Sequence, residues 1–402
     1  MDILNIILNG IEILILGYFG IAALYVFVFA LAGLFKAKKK KSLFRRQRKI
    51  AVLIPGYKED AVIVDVAQQA LKQKYPSDLF EVIVIADSFQ ESTLTLLKAL
   101  PLQVVEVSFE KSTKSKALNK AMKVIGDDYD IALILDADNI MEQQFLEKIN
   151  AAFNMGYKVV QGHRVAKNTN TPFAILDAVS EEINNHIFRK GHRVLGLSSA
   201  LIGSGMAFDY FFFKKTMSQV KAVGGFDKEL ELKLLKDRIK IEYLHDALVL
   251  DEKVQKSEVF ANQRKRWLSA QFIYFRRYVW AGVKELITKG NVDFFDKVYQ
   301  MVSPPRVLLL GLVFVFSFLY FLLDLITDSS FLIISPFLWY GGLLLTLLAF
   351  AFSVPGKYYN KKTLNAILTL PKAFLLMFLS LFRLKGANKK FIHTQHGTIN
   401  TP

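Results

Sequence analysis
Two aspartates one residue apart, Asp136 and Asp138, follow the apolar run Leu133-Ile134-Leu135. An extended backbone sends alternate side chains to the same side, so a strand ending there presents both carboxylates together. Two hard oxygen donors at such a point suit a divalent cation, because Mg2+ and similar ions combine a couple of carboxylates with substrate phosphates. The pair equally suits a solvated strand-to-loop turn, where Asp is common, so its surroundings must decide. Two other groupings have chemistry in them. In Gly203-Ser204-Gly205, glycines flank a serine, which lets backbone approach a ligand or simply bends the chain between core strands. Gln263, Arg266 and Trp267, spaced three and four apart, share one face of a helix. There an amide and an indole can hold a sugar ring and a guanidinium a phosphate, and the same helix can lie at a membrane surface.

The elements that position these residues alternate. Ile50–Ile54 reads as a short strand running into Pro55-Gly56-Tyr57-Lys58-Glu59-Asp60, a turn, and then into a helical pattern through Lys74. Glu81–Ala86 and Val104–Val107 are further strands, and a helix over Lys116–Ile125 leads into the strand before Asp136. A helix over Glu142–Phe153 and strands at Lys158–Gln161, Lys240–Tyr243 and Ala247–Asp251 follow. Strands alternating with helices predict an α/β domain with a mostly parallel sheet, which binds ligands at the carboxyl ends of its strands. Glu59, Asp87, Asp136 and Asp138 all fall just past such ends.

Composition places this domain at a membrane. Ile3–Phe35 is almost entirely apolar, longer than the roughly 20 residues that cross a hydrocarbon core. Nine lysines and arginines follow between Lys36 and Lys49, which predicts a cytoplasmic flank with the N-terminus outside. The formal charge of +16 is concentrated at such flanks, which argues against nucleic acid as a partner. Two more spans are expected near Val307–Leu323 and Phe331–Phe352, joined by a loop without Lys or Arg. Leu364–Phe382, interrupted by Pro371-Lys372 and flanked by basic residues, is expected to be interfacial or re-entrant. The expected divisions are a first span at 1–35, a basic flank at 36–49, a catalytic-type domain at 50–260, interfacial helices at 261–300, two spans at 301–352, and a last helix and cytoplasmic tail at 353–402. In that tail, His393 and His396 lie three apart, with no third metal ligand evident. The absence of cysteine excludes disulfides and thiolate metal sites.

In this order, the motifs resemble the membrane-bound glycosyltransferase family 2 enzymes, which include cellulose, hyaluronan and chitin synthases, from about residue 48 to the end. The resemblance implies a GT-A fold, a UDP-sugar donor, Mg2+ or Mn2+, and a glycan or lipid acceptor at an integral, multi-pass protein with its catalytic domain in the cytoplasm. It implies that Tyr57 and Glu59 meet uracil and ribose, that Asp87 contacts the base, and that Lys116 lies near the nucleotide. Asp136 and Asp138 match the metal motif, with Asp138 the more direct ligand. Gly203, Ser204 and Gly205 resemble the segment lining the acceptor site, and Gln263, Arg266 and Trp267 match the Gln-x-x-Arg-Trp signature of processive members. His393, Thr394 and His396 fall in a stretch similar to a tail motif that covers the nucleotide site. The family's base motif, Thr-Glu-Asp before Leu, is altered: Glu229 falls where the Asp belongs and Lys228 where the Glu belongs, with Asp227 the competitor for the role of base. The implied reaction is inverting transfer to a growing polysaccharide or oligosaccharide. Transfer of one sugar to a membrane lipid is the second expectation, and a non-catalytic nucleotide-sugar-binding scaffold in a larger synthase the third. Three spans are few for a polymer channel unless interfacial helices or further synthase or secretion subunits complete it.

Overall fold
The computed structural model describes residues 3–38, 40–43, 45–220, 224–255, 257–326 and 334–382. Its centre is an eight-stranded sheet: β1 (Ile50–Tyr57), β2 (Phe80–Asp87), β3 (Gln103–Val107), β4 (Ile131–Ile134), β5 (Ile140–Met141), β6 (Val159–Ala166), β7 (Met206–Asp209) and β8 (Ile241–Asp251). They lie in the order β3-β2-β1-β4-β7-β6-β8-β5. The β3-β2-β1-β4 half is parallel throughout, β7 is antiparallel to both its neighbours, and β6 pairs with β8 in parallel. This is the expected α/β, mostly parallel sheet.

Strand alternation builds the two cores. On β1, Ala51 and Leu53 enter one apolar cluster while Ile50, Val52 and Ile54 enter the other. The helices α2 (Ile63–Ala70), α3 (Glu91–Lys98), α4 (Lys114–Val124) and α5 (Phe145–Asn154) connect the strands. Then follow α6 (Pro172–Asn184), a π-helical segment Asn185–Gly191, α7 (His192–Val194), α8 (Tyr210–Met217) and α9 (Phe226–Lys236). Burying both faces of the parallel half is what lets its strand ends converge on one rim.

A second group of helices packs against this domain: α1 (Ile3–Gly33), α10 (Ser257–Lys289), α11 (Val292–Val302), α12 (Arg306–Ile326), α13 (Pro336–Ser353), α14 (Lys361–Ile367) and α15 (Leu370–Leu381). Among the described residues α1, α12 and α13 are long and apolar enough to cross a membrane, and α14 and α15 form a pair bent by 42°. The bend falls at Leu368 and Thr369, and Pro371 in the first turn of α15 has no N–H to bond back to the end of α14.

Three local expectations are corrected. The helix expected through Lys74 ends at Ala70, after which the chain turns toward Pro76. The two strands expected at 240–243 and 247–251 are the single strand β8, with an irregular register opposite Gly162 and His163. β4 stops at Ile134, two residues short of Asp136.

Candidate active site
Since β4 ends early, a turn presents the two aspartates, closed by Asn139 N–H donating to Asp136 C=O at 3.1 Å. Strand alternation does not aim them. What holds the turn is a polar relay centred on the fully buried Ser204 and Asn139. Asp136 N–H donates to Ser204 Oγ (2.9 Å), Ser204 Oγ donates to Asn139 Oδ1 (2.6 Å), and Asn139 Nδ2 donates to Asp138 Oδ1 and Asp251 Oδ1, both at 3.0 Å. Every polar atom of the Ser204 and Asn139 side chains named here has a partner, as burial demands. Ser204 thus acts from beneath the site, wiring its segment to the aspartate turn. Gly203 and Gly205 have φ of 85° and 60°, and a Cβ at Gly205 would come within 2.8 Å of Val249, so glycine is required there.

Asp136 forms an ion pair with Lys114, whose Nζ also donates to Gly203 C=O at 2.7 Å. Desolvation pushes the Asp136 carboxyl above its ordinary range, Lys114 pulls it back, and the Asp138 charge raises it again. The carboxylates of Asp136 and the buried Asp138 are the donor type that a divalent cation takes together with substrate phosphates, and a cation there would share Asp136 with the Lys114 ammonium. Among the described residues no cluster of three acidic or histidine ligands forms a closed metal cage.

Tyr57 and Asp87, the ends of β1 and β2, pair across the sheet, and Lys58 N–H donates to Asp87 C=O at 3.1 Å. The following residues, Lys58 and Ser88, both have left-handed φ, 56° and 62°. Strained backbone in two non-glycine residues side by side at a strand-end rim fits a ligand-binding edge. Glu59 begins the turn there, its C=O accepting from Val62 and Ile63. Lys116 is not brought to the aspartates; it is exposed, with Nζ donating to Lys111 C=O at 2.8 Å.

A cavity of about 480 Å3 opens beside Asp136. Gly203, Asp227, Gln263, Arg266 and Trp267 line it, so the helical spacing of the last three does bring them to one surface. Gln263 Oε1 is buried without a hydrogen-bond partner among the described residues, an acceptor that a ligand hydroxyl would satisfy. Arg264, between them, also lines the cavity, where it bonds Asp177 at 2.6 Å and lies over the Trp267 ring at 4.4 Å. Glu229 is not part of the lining; it is buried, 3.6 Å from Arg277. The Phe391–His396 motif, with His393, Thr394 and His396, lies outside the described residues.

Several residues that position the site escape sequence reasoning. Arg164 lines the cavity and bonds Glu181 at 2.8 Å, with Asp251 at 3.7 Å. Arg189 meets the other Glu181 oxygen at 3.1 Å and Asn185 Oδ1 at 2.6 Å, which ties the π-helical segment to α6 and, through Glu181, to Arg164 of β6. Lys114 was within reach of inspection, being two residues before Lys116 at the start of the same helix.

The family model described as glycosyltransferase like family 2 matches residues 47–270. A beta-monoglucosyldiacylglycerol synthase of Synechocystis sp. is 23% identical over 331 residues, covering 79% of this chain and 64% of that protein. The chain therefore spans less than two thirds of that relative's length. Among solved structures, a mannosyltransferase from Pyrobaculum calidifontis in complex with GDP-Man and Mn2+ is 16% identical with a TM-score of 0.49, covering 84% of this chain and 96% of that one. The S. aureus TarS 1–349 fragment in complex with UDP-GlcNAc is 15% identical with a TM-score of 0.41, covering 81% and 91%. With the model spanning more than half of the chain, from before β1 into the helix that carries Gln263, Arg266 and Trp267, the protein belongs to glycosyltransferase family 2, and its mostly parallel α/β sheet is of the GT-A type.

Proposed function
We propose that the protein transfers a single sugar, with inversion, from a UDP-sugar to a lipid acceptor at the cytoplasmic membrane face. The observation that carries this reading is the course of the cavity. From Asp136 and Asp227 its lining runs to Val307 on α12 and to Leu370, Ala373 and Met377 on α15, apolar helices of the membrane group. An acceptor hydroxyl on a lipid can therefore reach the sugar while its chains stay among apolar side chains. The beta-monoglucosyldiacylglycerol synthase relative supports a lipid acceptor. Extension of a glycan, which the Gln263-x-x-Arg266-Trp267 signature favours, is the second reading.

Asp227, which lines the cavity at the first turn of α9, takes the acceptor proton as the base in this reading. Negative charge then grows on the departing diphosphate, where Lys114 and Arg266 stand ready to meet it. Trp267 and Gln263 orient the sugar. A divalent cation held by Asp136 and Asp138, when bound, supplies further neutralisation of that diphosphate. Tyr57, Glu59 and Asp87 seat the nucleotide along the rim.

The test is to incubate the detergent-purified protein with a panel of UDP-sugars, Mg2+ or Mn2+, and lipid or oligosaccharide acceptors. Nucleotide release and product length are then followed. The expected product is a lipid carrying one sugar. A polymer, or transfer to soluble oligosaccharides alone, would establish the second reading; no release with any donor and acceptor would favour a binding scaffold.

A further inference from the structure
The cavity carries far more positive than negative charge. Eight lysines and arginines line it against three carboxylates. Several of these cations are matched: Arg164 and Arg189 share Glu181, Arg264 meets Asp177, and Lys297 meets Glu231 at 2.6 Å. Lys228 and Arg306 are different. Neither has a carboxylate within 4.0 Å among the described residues. Arg306 is held by neutral groups, Asn184 Oδ1 and, at 3.0 Å, Ser180 Oγ, and lies over the Phe188 ring. Burial, and next the neighbouring Lys297, holds the Lys228 ammonium below its ordinary value.

Leaving desolvated cations unmatched costs free energy that an incoming anion would recover. The donor's diphosphate belongs at Asp136, where Lys114 waits. Arg306 belongs to the other end: it opens α12, and its neighbour Val307 packs among Leu308, Ala373 and Met377. An anion for Arg306 therefore arrives from the bilayer side. Lys228 follows Asp227 on α9 and lines the same cavity, so a second cation without a carboxylate partner among the described residues stands beside the base.

We propose that the lipid acceptor bears a phosphate in its head group, met by Arg306 and Lys228, with its acyl chains leaving between α12 and α15. This rests on the lipid-acceptor reading above and narrows it. A head-group hydroxyl is the nucleophile: its oxygen bonds to the anomeric carbon, and its proton passes to Asp227. The bond from that carbon to the nucleoside diphosphate breaks, the electron pair leaving with the diphosphate.

The experiment compares dioleoylphosphatidylglycerol, dioleoylglycerol and glycerol 3-phosphate as acceptors for the full-length protein in mixed micelles, with the UDP-sugar that supports turnover. Phosphatidylglycerol is expected to exceed dioleoylglycerol in kcat/KM by about tenfold or more, the scale of one charge-assisted hydrogen bond. Arg306→Gln is expected to raise the KM for phosphatidylglycerol about tenfold more than that for the donor. Lys228→Glu is expected to move the preference toward dioleoylglycerol. Equal or better use of dioleoylglycerol by the unaltered protein overturns the phosphate requirement but not the lipid reading. Transfer only to oligosaccharides overturns both. Equal use of glycerol 3-phosphate overturns the membrane source of the phosphate. The acceptor panel needs no variant, so it decides even where a substitution prevents folding.

Discussion

Asp227 and Glu229 are two residues apart on the first turn of α9, and at 3.6 residues per turn the helix points them roughly 200° apart. One reaches the cavity; the other is buried beside Arg277. Motif alignment ranks Glu229 first because it counts position from the helix that follows, but it cannot register which face of α9 the cavity occupies. The left-handed Gly225 before the helix sets that face. Asp227→Asn is therefore expected to lower kcat by about 10²-fold or more, the usual worth of a general base, with a smaller effect from Glu229→Gln. Steady-state rates of the two variants check this, and the reverse ranking reassigns the base. Ser204 teaches a related lesson. Its position between glycines marked it for an acceptor contact, whereas its hydroxyl joins Asp136 N–H to Asn139 Oδ1. Ser204→Ala leaves both groups buried without that partner, so a loss of about 1–3 kcal/mol is expected in denaturant unfolding. An unchanged midpoint would show the relay to be dispensable.

Among the elements, those with a strong period were legible. The parallel strands β1, β2 and β3 and the apolar helix α1 follow directly from apolar runs bounded by turn residues. Ion pairs joining distant parts of the chain were not, since no local pattern announces them. Arg193 on α7 and Glu242 on β8 are such a pair, bonded twice at 2.8 and 2.9 Å and nearly buried. Burial pushes the Glu242 carboxyl up, but the Arg193 hydrogen bonds and charge outweigh it and hold the group below its ordinary value of 4.5. A carboxyl depressed in the folded state contributes stability that is complete above its unfolded value and is lost as pH falls through the folded one. Glu242→Gln should thus cost about 3–5 kcal/mol near neutrality, where it strands a buried guanidinium. The gap to the unaltered protein should narrow below pH 4.5. Thermal unfolding from pH 7 to pH 3 checks the sign; a gap constant across that range would mean the pair does not couple folding to protons.

For the whole molecule, the site and the long apolar helices are one construction. Tyr25 on α1 donates to Asp296 on α11 at 2.7 Å, Phe29 stacks on the buried His192 at 3.7 Å, and a Cβ at Gly191 would run into Phe29 C=O. The first apolar helix is thus seated on the same π-helical segment whose Arg189 reaches the cavity. With α1 as a membrane span, such seating would hold the sheet domain against one face, and charge indicates which. Nine basic residues follow α1, whereas residues 324–335 hold no lysine or arginine. The expected arrangement puts the sheet inside and the α12–α13 connection outside, so that donor and acceptor meet on the cytoplasmic side. Because the chain contains no cysteine, one introduced thiol is the only one that can react. Asp324→Cys, exposed at the end of α12, should be labelled by an impermeant maleimide on intact cells. Lys120→Cys, exposed on α4 of the catalytic domain, should be labelled only after the cells are opened. Labelling in the opposite sense would place the cavity on the outer face, away from a cytoplasmic supply of nucleotide sugar.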